Sequence, residues 1–126
     1  MSANEKPMLA RGQGASPGTA TGKIVFVAAE AVKLAEQGEK VILVRVETEA
    51  EDTPGLRAAV GIVTTRGGLT SDAAIIARSL GKPCIAGCST MSVSYTEEKL
   101  VVRGGPTLAK HHVITIDGSR GIVYDG

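Results

Sequence analysis

A chain of 126 residues, 43% of them hydrophobic, is sized for one domain with a real core. Its net charge of +1 excludes an electrostatic case for nucleic acid, and with no run of 18 apolar residues a membrane-spanning helix is excluded too. Two cysteines, Cys84 and Cys88, are too few for a disulfide framework and lack the further ligands of a zinc site, so buried free thiols in a cytoplasmic protein are expected.

In chain order, residues 1–8 read as a disordered lead or linker without the apolar segment of a signal peptide, and the domain is expected over 9–126. Gly12–Gly22, "GQGASPGTATG", reads as a glycine-rich turn region too irregular for a nucleotide fingerprint. Lys23–Ala28 reads as a strand. Glu30–Gly38 reads as a short helix with Ala31, Leu34 and Ala35 on one face and Gly38 as its stop. Lys40–Val46 is an apolar strand of the kind covered on both faces. Thr48–Ala59 holds acidic cap signals and a helical turn, with Pro54 in its first turn. Val60–Thr65 is a further buried strand.

A helix follows over Asp72–Leu80, with Gly81 as its terminator and Pro83 just beyond. Its spacing predicts that Ala73, Ile76, Ala77 and Leu80 are buried. Pro83–Cys88 is a short strand, and 97–126 breaks into short strands, with Asp117-Gly118-Ser119 as a hairpin tip. The total is about seven strands and three short helices. Core packing falls to Val, Ile, Leu and Ala, since the aromatic residues are Phe26, Tyr95 and Tyr124 alone.

Chemistry concentrates in "TTRGGLTSDAAIIARSLGKPC", Thr64–Cys84. Gly67 and Gly68 after a buried strand permit positive φ and close backbone approach to a ligand. Thr70 and Ser71 stand where a hydroxyl caps the helix. The remaining first-turn amides carry partial positive charge and favour an anion, with Arg66 and Arg78 as nearby cations. An Asp at position 72 also stabilises a helix start by the same dipole. Spacing alone leaves an anion site and a plain helix start both open.

The string "RGGLTSDAAIIARSLGKPCIAGC" resembles the phosphohistidine signature of the phosphoenolpyruvate (PEP)-utilising enzymes, nearest to the dikinase branch. "LARGQGASPGTATGKIVF", "VILVRVETEAEDTPGLRAAVGIVTTRGG", "EKLVV" and "ITIDGSRGIVYDG" extend the resemblance to nearly the whole of 9–126. It implies an α/β fold, a swivelling β/β/α domain that moves between an ATP-grasp nucleotide-binding domain and a PEP/pyruvate-binding barrel. A histidine at the helix start carries the phosphoryl group in that family. The overall reaction interconverts ATP, phosphate and pyruvate with AMP, pyrophosphate and PEP. The resemblance places Mg with ATP and PEP on the partner domains, and implies neither cofactor nor metal in this chain. A standalone subunit, an excised domain and a paralogue all fit.

One position departs from the family pattern. Where the family carries its phosphohistidine, this sequence has Asp72. His111 and His112 fall far along the chain, before "VITI", and read as strand-edge residues. Aspartyl phosphates form elsewhere with Mg²⁺ and helper carboxylates, whereas Asp72 has Thr70, Ser71 and two arginines as sequence neighbours. The expected function is therefore a dikinase-like or PEP synthase-like phosphoryl-carrier domain, transfer-deficient at Asp72. The alternative is a non-catalytic regulatory or docking module for an ATP-grasp or barrel partner. The resemblance also makes Thr70 a target of regulatory phosphorylation, against its plain reading as a cap. Gly67, Gly68, Ser71, Arg66 and Arg78 are the remaining candidate phosphate-binding residues.

Overall fold

The computed structural model describes residues 6–126. The first half of the chain runs β1 (Met8–Arg11), β2 (Gln13–Ser16), β3 (Thr19–Val25), α1 (Ala28–Glu36), β4 (Val41–Arg45), a 3-10 turn (Ala50–Asp52), α2 (Thr53–Ala58) and β5 (Gly61–Thr64). The second half runs α3 (Asp72–Leu80), β6 (Cys84–Ala86), β7 (Met91–Ser94), β8 (Lys99–Val102), β9 (Thr107–Ala109), β10 (Val113–Asp117) and β11 (Ile122–Asp125).

The eight-stranded sheet has the order β1-β11-β10-β3-β4-β5-β6-β2, and β7, β8 and β9 form a separate small sheet. The pairs β3–β4, β4–β5 and β5–β6 are parallel. Parallel neighbours need crossover connections, and α1, α2 and α3 supply them. This explains why Val41–Val44 reads as an unbroken apolar run: all four residues are buried, because both faces of the strand are covered. Among the described residues the fold is α/β with three α-helices, as the sequence predicts.

Strands β1 and β2 lie at opposite edges of the large sheet yet only Gly12 separates them. The two edges must therefore meet, and the sheet curls until one bent stretch of chain stitches them together. The Gly12 amide donates to the Gly121 carbonyl at 2.8 Å. A Cβ on Gly12 would lie 2.8 Å from the Ala86 carbonyl oxygen, and one on Gly14 would lie 2.5 Å from that of Gly118. No side chain fits at either crossing. The expectation of a turn region over Gly12–Gly22 is thus corrected: most of it is β2 and β3, and its glycines serve close strand contact. These short pieces, with the small sheet, raise the strand count among the described residues to eleven.

Of the stretch 1–8 read as a lead, residues 1–5 lie outside the described residues. The Asp125 amide donates to the Pro7 carbonyl at 2.8 Å, and Met8 pairs with Tyr124. Lys6 Nζ donates to Thr115 Oγ1 at 3.0 Å. The ordered sheet edge therefore takes in residues ahead of the expected start at 9. Strand β3 also ends at Val25 rather than Ala28, because α1 begins at Ala28.

Two cores form on the two sides of the large sheet. One, between the curled sheet and the small sheet, holds Ile24, Ile42, Leu100, Leu108, Ile114 and Ile116 among others. The second lies beneath the helices and includes Ala31, Leu43, Leu56, Ile62, Ala73, Ala74 and Ala77. On α3 the buried residues are Ala73, Ala74 and Ala77, while Leu80 is 36% exposed. Leu80 stands in the last turn, where Gly81 at φ +68° reverses the chain, so its expected burial is not realised.

Candidate functional site

Strand β5 delivers the chain to the site. After Thr64 its pairing with the neighbouring chain continues: Thr65 N donates to the Arg45 carbonyl and Arg66 N to that of Val46, each at 3.0 Å. Thr64 Oγ1 donates to the Arg66 carbonyl at 2.8 Å, holding the bend. Gly67 then takes φ +85°, which glycine adopts without strain. The Gly68 carbonyl accepts from both the amide of Ser71 at 3.1 Å and its hydroxyl at 2.8 Å. Ser71 has extended backbone angles, and its Oγ accepts from Ala74 N at 3.4 Å. It is the N-cap; Thr70, expected beside it in that role, is an exposed residue one step earlier. Asp72 is the first helical residue and is exposed.

A pocket of about 280 Å³ opens at this point. Arg66, Gly67, Thr70, Ser71, Asp72 and Ala73 form one wall, so the amide end of α3 faces it. The other wall is Glu47 and Thr48, with Thr64 also lining it. Glu47 and Thr48 were not among the residues expected from the sequence. They follow β4, and parallel pairing with β5 brings the C-terminal ends of both strands together, where open α/β sheets gather ligands. The acid-rich stretch directly after a buried strand was the signal available.

Two expected residues do structural work. Arg78 Nη1 donates to the Ala15 carbonyl at 2.9 Å and its Nη2 to the Leu69 carbonyl at 2.7 Å. It ties α3 to β2 and to the loop before Thr70, and is not among the residues lining the pocket. Gly68 acts through its carbonyl on Ser71 and also does not line it. Arg66 lines both this pocket and a neighbouring one of about 340 Å³ beside β7. The histidines are engaged elsewhere: His111 Nε2 is 3.4 Å from Glu30 Oε2, and His112 Nε2 is 2.6 Å from Asp125 Oδ1.

Cys84 and Cys88 are free and buried. Burial pushes the Cys84 thiol up to about 12, against a smaller lowering by the charge of Arg78, and pushes Cys88 up to about 11. Both stay protonated at neutral pH, as inert thiols do. Among the described residues no group of three or more His, Cys, Asp or Glu could hold a metal ion, and no helix is long and apolar enough to cross a membrane. The pocket thus offers hydroxyls, helix-start amides, one guanidinium and two carboxylates. The first three favour an anion, while the carboxylates oppose one.

The profile of the "PEP-utilising enzyme, mobile domain" matches residues 37–121. Pyruvate, phosphate dikinase of Rhizobium meliloti (strain 1021) is 51% identical over 121 residues, which is 96% of this chain and 13% of that protein. The enzyme of the same name from Clostridium symbiosum is 49% identical over 112 residues, 89% of this chain and 13% of its own length. The solution structure of an Enzyme I protein, nEIt, superposes with a TM-score of 0.51 at 26% identity, over 74% of this chain and 33% of that one. The chain spans about 13% of the length of those two dikinase relatives. It belongs to the family of the PEP-utilising enzyme mobile domain.

Proposed function

We propose that this chain is the phosphoryl-carrier domain of a phosphotransferase like pyruvate, phosphate dikinase or PEP synthase, with Asp72 occupying the acceptor position and transfer thereby lost. The supporting observation is the place of Asp72: first in α3, exposed, and on the wall of a pocket that also holds helix-start amides, hydroxyls and Arg66. In the dikinase-like reading, an imidazole at this position takes the phosphoryl group from PEP and releases pyruvate, then passes it on. Imidazole attacks as a neutral nucleophile. A carboxylate is shorter and charged, and shares the pocket with a second carboxylate on Glu47, so approach of a phosphoryl group meets repulsion. Misplacing the attacking atom by about 1 Å costs on the order of 10²-fold.

In this reading Arg66, Gly67, Thr70 and Ser71 surround the phosphoryl group, while Gly68 and Arg78 brace the loop that carries them. The partners are an ATP-grasp nucleotide-binding domain and a PEP/pyruvate barrel, which hold Mg with ATP and PEP, and the setting is the cytoplasm. Phosphorylation of Thr70 as a control has no purpose while residue 72 is an aspartate.

A second reading, a regulatory or docking module, draws support from Leu69 and Ile75. Each is 50% exposed, and they bracket Asp72 along the chain. Apolar side chains left in water beside a fixed negative charge suit a face that docks.

One experiment separates the two. The chain is incubated with labelled PEP and dikinase ATP-grasp and barrel domains in trans, as native protein and as Asp72→His. Label on the variant alone supports a disabled carrier. Hydroxylamine-sensitive label on the native chain means that Asp72 itself accepts phosphate and overturns transfer deficiency. No label on either, with partner binding retained, supports the docking module.

A further inference from the structure

We propose that Tyr95, at the tip of the β7–β8 hairpin, is a positioning residue that holds the Glu47–Thr48 wall of the pocket in place. The inference rests on reading that pocket as the transfer site, but the clamp itself can be measured separately.

Glu47 and Thr48 lie in an irregular stretch between β4 and the 3-10 turn, and neither amide has a hydrogen bond among the described residues. Something must hold the stretch from its ends. At its start, Val46 N donates to Tyr95 Oη at 2.8 Å. At its far side, Glu49 N donates to Asp52 Oδ2 at 2.8 Å. Arg45 joins these two anchors. Its guanidinium carbon lies 4.7 Å from the centre of the Tyr95 ring. Its Nε is 3.2 Å from Asp52 Oδ2, an ion pair without an aligned hydrogen bond. Its Nη1 donates to the Phe26 carbonyl at 2.7 Å, fastening the unit to the end of the β3 chain.

A tyrosine kept for packing would be buried. Tyr95 is 40% exposed, and what it contributes is a hydroxyl to one backbone amide and a ring face to one cation. Arg45 and Asp52 are much less exposed, with side-chain accessibilities of 18% and 11%, so their charges are fixed by the fold rather than by solvent. The small sheet supplies no residue to the pocket, yet through Tyr95 it sets where Glu47 and Thr48 stand. That gives the β7–β9 segment a role at the site.

The test uses two readouts on the full chain. Amide hydrogen exchange compares the native protein with Tyr95→Phe, which keeps the ring over Arg45 and removes the hydroxyl. Protection of Val46 should fall about 10-fold, the worth of one ordinary hydrogen bond, with β4 and β5 unchanged. Labelled transfer from PEP then compares Asp72→His with Asp72→His/Tyr95→Phe at saturating partner domains. The limiting rate should fall about 10-fold or more, with half-saturation unchanged. Arg45→Lys keeps the charge but loses the planar fork, and should lower the same rate. Unchanged exchange at Val46 overturns the clamp. Changed exchange with an unchanged rate overturns its positioning role. If Asp72→His takes no label at all, the carrier reading fails instead, and exchange at Val46 still decides whether the clamp exists.

Discussion

The two cores of this domain are built from different residues. Among the described residues, seven of the thirteen buried beneath the helices are alanine; between the sheets, one of fifteen is. Small side chains let helices sit close to a sheet. The helices on that face also pack tightly on one another: a Cβ on Gly55 of α2 would lie 2.6 Å from the Cα of Ala28 at the start of α1. Close approach brings the start of α3 down to the level where β4 and β5 end, and that is where the pocket forms. Large branched side chains fill the wider space between the curled sheet and the small sheet. The sheet side therefore carries more of the hydrophobic stabilisation, and the helix side carries the geometry of the site.

The largest effect expected from this contrast is on the sheet side. Leu100 is fully buried there, and Leu100→Ala should cost about 2–5 kcal/mol, read from the denaturant midpoint. A loss below about 1 kcal/mol would mean that this core collapses around the gap. On the helix side the vulnerable direction is reversed. Ala77→Leu should cost about 1–3 kcal/mol by forcing α3 off the sheet. No loss there would show that the alanine layer has room to spare.

One buried thiol lies in each core: Cys84 on the helix side and Cys88 on the sheet side. Burial raises Cys84 from 9.0 to about 12 and Cys88 from 9.0 to about 11 in the folded chain. The unfolded chain therefore loses these protons first. The stability this linkage supports is complete below pH 9 and is lost as pH rises through the two folded values, by at most about 1.4 kcal/mol per pH unit per thiol. Denaturation midpoints at pH 8 and pH 10, repeated for Cys84→Ala and for Cys88→Ala, assign the slope to each core. Equal slopes in all three proteins would remove the thiols as its cause.

The smallest effect is at the site itself. Asp72 is exposed, with no hydrogen bond or ion pair to its side chain among the described residues, so only the helix dipole rewards it. Asp72→Ala should lower stability by no more than about 1 kcal/mol. A loss near 3 kcal/mol, well beyond that dipole range, would reveal a partner for the carboxylate.

Much of α3 was legible from its sequence: the span 72–80, the serine cap, the Gly81 terminator and the alanines at helical spacing are local signals. So were Pro54 in the first turn of α2 and the hairpin through Asp117-Gly118-Ser119. The misread parts depend on chain segments far apart. Glycines at 12 and 14 resemble turn residues until the strands crossing them are known. Arg78 resembles a free cation until the Ala15 carbonyl arrives beside it from sixty-three positions away. Glu47 and Thr48 enter the site only because β4 and β5 pair in parallel.

By itself, the sequence determined the three helices and the central buried strands, and that a capped helix start bearing Asp72 follows a buried strand. Caps, periodicity and glycine stops act within a few residues, so they are written in order along the chain. Tertiary structure alone decided that the sheet curls shut at Gly12, that Glu47 faces Asp72 across a pocket, and that Tyr95 reaches the wall of that pocket. Those are pairings between remote segments. They form only when burial of two differently sized cores fixes how far each layer stands from the next.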